Sequence, residues 1–80
     1  MTTHRLKIEE RFLEEKLKGN KLFEIIRDND YKVGDMVEYE EPPIAGYIGP
    51  RHVFEITYIT DYMQRDGYVV FGEKYIGTAD

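Results

Sequence analysis

Eighty residues, 41% hydrophobic and 14% aromatic, describe a chain with enough apolar content for one packed core and too little length for two. The sequence has no Cys, which excludes a disulfide framework, a thiolate zinc site and a thiol nucleophile and fits a reducing compartment. A formal charge of -5, from 16 acidic and 11 basic residues, excludes a nucleic-acid binder that works through a global basic field, though not one with a local basic cleft.

In chain order the first signal is a short strand, Leu6 to Ile8, followed by a helix predicted over Glu9 to Lys18. Ile8 with Phe12, and Leu13 with Leu17, are spaced i,i+4, so Phe12, Leu13 and Leu17 are expected to form the apolar stripe that packs on the rest of the fold. Glu9 and Glu10 suit the positive end of the helix dipole, Lys16 and Lys18 the negative end, and Gly19 stands where a left-handed C-cap is wanted. Four further strands are predicted at Lys21 to Arg27, Met36 to Glu41, His52 to Thr60 and Tyr68 to Tyr75, all rich in β-branched and aromatic residues. Asp28-Asn29-Asp30, Val33-Gly34-Asp35, Pro42 through Pro50, and Arg65-Asp66-Gly67 supply the turns. In the longest strand Phe54, Ile56 and Tyr58 alternate with Val53, Glu55, Thr57 and Ile59 and predict one strongly apolar face and one mixed face. About five strands and one helix fit a single α+β domain over residues 1–80, a small β-barrel partly closed by the helix. No apolar run approaches the roughly 20 residues of a membrane helix, and Met1 to Arg5 lacks the apolar stretch of a signal peptide, so a cytoplasmic protein with no membrane partner is expected.

The chemistry concentrates in Gly19-Asn20-Lys21-Leu22-Phe23-Glu24, a Gly-x-Lys-x-x-Glu run between helix and strand. This run, with the later Tyr31-Lys32-Val33-Gly34-Asp35, Gly46-Tyr47-Ile48-Gly49 and Asp66-Gly67-Tyr68-Val69-Val70 in the same order, resembles the activating-signal-cointegrator homology (ASCH) superfamily, in particular its small branch in phages and mobile elements. The resemblance implies a PUA-like barrel with a cleft beside the helix that faces RNA or a nucleotide-like ligand, and a few similar members are hydrolases or ribonucleases. It implies a nucleic-acid-binding set of Gly19, Asn20, Lys21, Glu24, Arg27, Tyr47 and Tyr68. Two departures stand out. The arginine that usually follows the Glu by two positions is replaced by Ile26, with Arg27 one position later, and Leu22 stands where relatives often carry Thr.

Lys21 is suited to a point-charge contact with phosphate, Arg27 to a bidentate one, and Glu24 to orienting Lys21 or accepting a base amino group. The bland alternative is a surface Lys21–Glu24 ion pair contributing about 0 to 1 kcal/mol. Three positions is an odd step in a period of two, so a regular strand points Glu24 and Arg27 to opposite faces, whereas a bulge near Ile25 and Ile26 brings them together. Tyr47, Tyr62 and Tyr68 lie in or beside turns where an aromatic can stack an unpaired base, while Tyr31, Tyr39, Tyr58 and Tyr75 are expected in the barrel wall with the hydroxyl at the rim.

The Gly46 to Gly49 run reads as a hairpin turn and not as the helix-joining loop of a KH domain. His4 and His52 lack further ligands at useful spacing, and Asp28-Asn29-Asp30 has neither the Gly nor the Glu of a calcium loop, so no metal and no cofactor are expected. Without Ser or Cys, a nucleophile would have to be Thr57, Thr60, a Tyr or a lysine such as Lys21, and Lys21 with Glu24 as acid/base is the candidate pair for hydrolysis of a modified nucleoside or RNA. A third reading is an acidic protein-interaction module. A monomeric binder of single-stranded RNA or a nucleotide-like ligand is the leading expectation.

Overall fold

A computed structural model describes residues 1–43, 45–46 and 49–79. The chain opens with β1, Thr3–Lys7, whose inward Leu6 alternates with outward Arg5 and Lys7. The helix α1, Glu10–Leu17, follows at once. It ends in a Schellman turn: Gly19, at φ 83°, lets its own amide bond to the Lys16 carbonyl (3.0 Å) and the Asn20 amide to that of Glu15 (2.9 Å). The remaining strands are β2 (Phe23–Arg27), β3 (Met36–Glu40), β4 (Arg51–Thr60) and β5 (Tyr68–Ala79). All the predicted elements are present, and the last strand runs four residues beyond the expected Tyr75.

The sheet order is β1-β3-β4-β5-β2, parallel between β1 and β3 and antiparallel elsewhere. The five strands curl into a half-barrel whose two edges, β1 and β2, are joined in sequence by α1. Its concave side holds Val37, Tyr39, Phe54, Ile56, Val69 and Phe71, covered by Ile8 and Leu13 from the start and middle of the helical segment.

Three expectations about packing need correction. The buried face of α1 carries Leu13 and Lys16, while Leu17 is 45% exposed and Phe12 is 38% exposed. At 3.6 residues per turn Lys16 lies about 60° from Leu13 on one side and Leu17 about 40° on the other, so turning the helix toward Lys16 lifts Leu17 to the rim. Tyr58, expected inward with Phe54 and Ile56, is 65% exposed. The pairing skips a residue between Ile56 and Tyr58, and this bulge turns Tyr58 out and brings Ile59 against the core. Tyr31 and Tyr39 are buried in the wall, but the Tyr39 hydroxyl lies inside on Glu73 and not at the rim, while Tyr75, paired with Phe54 and with its ring 5.2 Å away, is half-exposed. Tyr47 lies outside the described residues.

Candidate functional site

Because β1 and β2 are the two edges of an incomplete barrel, the space between them is the natural place for a cleft. One of about 270 Å³ lies there, lined by Leu6, Lys7 and Ile8 from the β1 segment, Glu9 and Phe12 at the start of the helix, Glu24 and Ile26 of β2, and Tyr39 of β3. Most of these side chains are apolar; the carboxylate of Glu24 is the polar group that β2 contributes.

The Schellman turn explains how Glu24 acquires its surroundings. Reversing the chain at Gly19 places Lys21 beside the helix it has just left, its amide bonded to the Glu15 carbonyl (3.2 Å). The Lys21 ammonium donates to Glu24 Oε2 (2.9 Å) and lies 5.2 Å from the ring centroids of both Phe12 and Phe23. Two aromatic faces and a carboxylate thus restrict a long side chain that would otherwise sweep through solvent.

Beneath this rim is a buried ionic cluster that sequence reasoning missed. The Lys16 side chain is fully buried, its ammonium 2.8 Å from Glu24 Oε2 and bonded to the Phe23 carbonyl (3.1 Å) and to Glu73 Oε1. Glu73 is itself buried and accepts the Tyr39 hydroxyl on Oε2 (2.7 Å). The Lys16 ammonium also lies 4.7 Å from the Tyr39 ring centroid. Two lysines and two glutamates make the cluster neutral as a whole, which is the condition under which charge tolerates burial. Burial pushes the Glu73 carboxyl up from the usual range, while the hydrogen bonds from Lys16 and Tyr39 pull it back. Burial, reinforced by the Glu73 charge, holds the Tyr39 hydroxyl well above its ordinary range, so it is a hydrogen-bond donor and no nucleophile at neutral pH.

Both lysines engage Oε2 of Glu24, and among the described residues no hydrogen bond reaches Oε1. The result is an acceptor of fixed orientation at an apolar cleft, held from behind by cations. The signal that could have revealed it is an inward Glu in a strand that otherwise buries Val69 and Phe71: a buried acid implies a buried partner, and Lys16 is one helical turn from Leu13.

The expected site residues divide into two groups. Gly19, Asn20, Lys21 and Glu24 are brought together around the helix exit, Gly19 and Asn20 through the turn that delivers Lys21. Arg27 is not with them. Pairing of β2 with β5 is unbroken from Phe23↔Gly72 to Arg27↔Tyr68, so there is no bulge at Ile25 and Ile26, and Arg27 faces away from Glu24. Ile26 occupies the cleft wall where an arginine was sought. Arg27 instead lies over the Tyr68 ring, 5.2 Å from its centroid, at the far end of the strand pair.

His4 is bonded through Nε2 to Asp35 Oδ2 (2.9 Å), and Asp35 also accepts the Thr2 and Lys32 amides. These bonds, that of His4 first, hold its carboxyl down at about 2. Among the described residues no group of three His, Asp or Glu side chains is arranged to hold a metal ion, and no helix is long and apolar enough to cross a membrane.

The fold and the cleft define a small α+β half-barrel domain with a cleft between its sheet edges whose lining includes the Glu24 carboxylate. A family model described as a domain of unknown function, DUF3850, matches residues 3–73, and the chain belongs to that family. No curated protein matches it.

Proposed function

We propose that the cleft receives the base of an unpaired nucleotide, making the protein a nucleic-acid-binding domain that uses single-stranded RNA or a nucleotide-like ligand. The observation that carries this reading is Glu24: a carboxylate on the lining of the cleft, with Oε2 held by Lys16 and Lys21 and, among the described residues, no hydrogen bond to Oε1. Such an oxygen accepts a hydrogen bond from an amino or ring N–H of a base, while Leu6, Ile8, Ile26 and Phe12 receive its faces. Lys21 at the rim, and Lys7, which has no ion pair among the described residues, supply local positive charge for phosphate. A cleft of this size suits one base and not a duplex. The half-barrel and the order of the sequence motifs agree with a PUA-like fold and with ASCH-superfamily membership, which we include in the proposal.

The test is titration of a short single-stranded RNA at low salt. A dissociation constant in the micromolar range or weaker is expected, rising steeply with salt. Lys21→Ala should weaken binding several-fold, whereas Lys74→Ala, which removes a cation 3.8 Å from Glu55 on the other side of the sheet, should leave it nearly unchanged. Equal effects, or no binding at any salt, would transfer support to the second reading, a protein-interaction module. That alternative is favoured by Phe23 and Tyr58, aligned across Gly72 and both exposed, with Ile25 beside them at 59% exposure.

A further inference from the structure

Of the eleven basic residues, most are matched to a carboxylate: Arg5 and Arg51 to Glu38, Arg11 to Glu9, Lys16 to Glu73 and Glu24, Lys18 to Glu15, Lys21 to Glu24, Lys32 to Asp30 and Lys74 to Glu55. In a chain with an excess of acids, a cation left unmatched among the described residues is the exception. Lys7 is one, at the cleft. The other two, Arg27 and Arg65, are together. Their guanidinium carbons lie 5.2 and 5.7 Å from the centroid of the Tyr68 ring. Asp28 and Asp66 are their sequence neighbours, yet neither comes within ion-pair distance of them among the described residues.

The backbone holds this arrangement in place. Arg27 and Tyr68 are directly paired across β2 and β5. Arg65 is returned toward Tyr68 by a turn closed by the Tyr68 amide on the Arg65 carbonyl (2.9 Å), with Gly67 at φ 81° in its third position, a conformation that favours glycine. The Asp28 amide on the Gly67 carbonyl (2.8 Å) ties that turn to the end of β2. A guanidinium held against a ring face by cation–π attraction, with no carboxylate on it, keeps its N–H donors available for the two parallel hydrogen bonds that grip a phosphate.

We infer that Arg27 and Arg65, presented by Tyr68, form a second contact site for the phosphodiester backbone of a single-stranded nucleic acid, separate from the cleft and on the opposite face of β2. The inference rests on the nucleic-acid reading of the cleft and extends it. Three strand residues span about 10 Å, so the site lies within reach of linkages neighbouring the nucleotide at Glu24. Because β2 is an edge strand, a chain leaving the cleft crosses its free side without meeting another strand.

The deciding measurement is the salt dependence of binding to a fluorescently labelled single-stranded RNA of about ten nucleotides. Each phosphate contact contributes roughly 0.7 to the slope of log affinity against log salt, so Arg27→Ala with Arg65→Ala should lower that slope by about 1.4. Lys18→Ala, at an exposed lysine paired with Glu15, serves as the control and should not change it. If the RNA binds but the double variant keeps the full slope, the second site is overturned while the cleft reading stands; if the unaltered protein binds no RNA at low salt, both fall. Independently of any variant, the Arg27 and Arg65 side-chain Nε–H resonances of the unaltered protein should shift on adding the RNA and stay in place on adding a nucleoside, which has no phosphate. Resonances unmoved by bound RNA overturn the site.

Discussion

Lys16 is a fully buried cation on which two carboxylates converge. Its ammonium is the shared counterion of Glu73 and Glu24, and both carboxylates depend on it. Replacing it with Met keeps most of the packing volume but leaves a buried Glu73 without its cation, and breaking a buried pair from one side typically costs about 3–5 kcal/mol. Adding Glu73→Gln removes the orphaned charge while retaining an acceptor for the Tyr39 hydroxyl. The double variant should therefore be more stable to urea than Lys16→Met alone, with a coupling energy on the order of 1–3 kcal/mol from the double-mutant cycle. Additive effects would show that the pair contributes nothing as a pair. Glu24 is only partly buried and Lys16 would still pair with Glu73, so Glu24→Gln should cost less stability than Lys16→Met.

At the level of the helix, the same choice of face has a second measurable consequence. Leu13 is 2% exposed whereas Leu17 is 45% exposed, although both belong to the stripe that periodicity marks as apolar. Leu13→Ala should destabilise by about 2–5 kcal/mol through lost burial and a residual cavity, and Leu17→Ala by well under half of that, both read from chemical denaturation. Helical spacing restricts the buried face to an arc; the partner beneath it selects the centre of that arc. Here the partner is an acid on β5, and it draws the arc toward a lysine. In β2, by contrast, period-two reasoning held: an odd step separates Glu24 from Arg27, and the unbroken ladder puts them on opposite faces. The bulge that would have brought them together is absent from β2; the irregularities lie in the β4–β5 pairing, where one of them turns Tyr58 outward.

Across the fold as a unit, acid stability should be governed by the N-terminal edge. Asp35 joins Thr2 and His4 of the first segment to the loop that precedes β3. Its carboxyl is depressed to about 2 in the folded state against about 3.9 in an unfolded chain. A depressed carboxyl binds fewer protons folded than unfolded, so its contribution is complete above pH ~4 and is lost as pH falls toward 2. Asp35→Asn should lower stability at neutral pH and flatten the stability profile between pH ~4 and 2, measured by urea midpoints across that range. An unchanged slope in that window would mean that the bonds at the first strand do not couple to folding.

Helix, strand order along the chain, turn positions and the local Lys21–Glu24 pairing are all legible in the sequence, because each depends on spacing or on residues a few positions apart. Gly19 is a C-cap for a reason local to the backbone, and that same turn puts Lys21 next to Glu24. The Lys16–Glu73 contact joins residues 57 positions apart, and the convergence of Arg27, Tyr68 and Arg65 also requires strands distant in sequence to pair. Periodicity ranks a lysine as solvent-facing by default, since it sees hydropathy and not the location of a counterion. Only the curled sheet, by burying Glu73 opposite the helix, reverses that ranking and makes a charged residue part of the core.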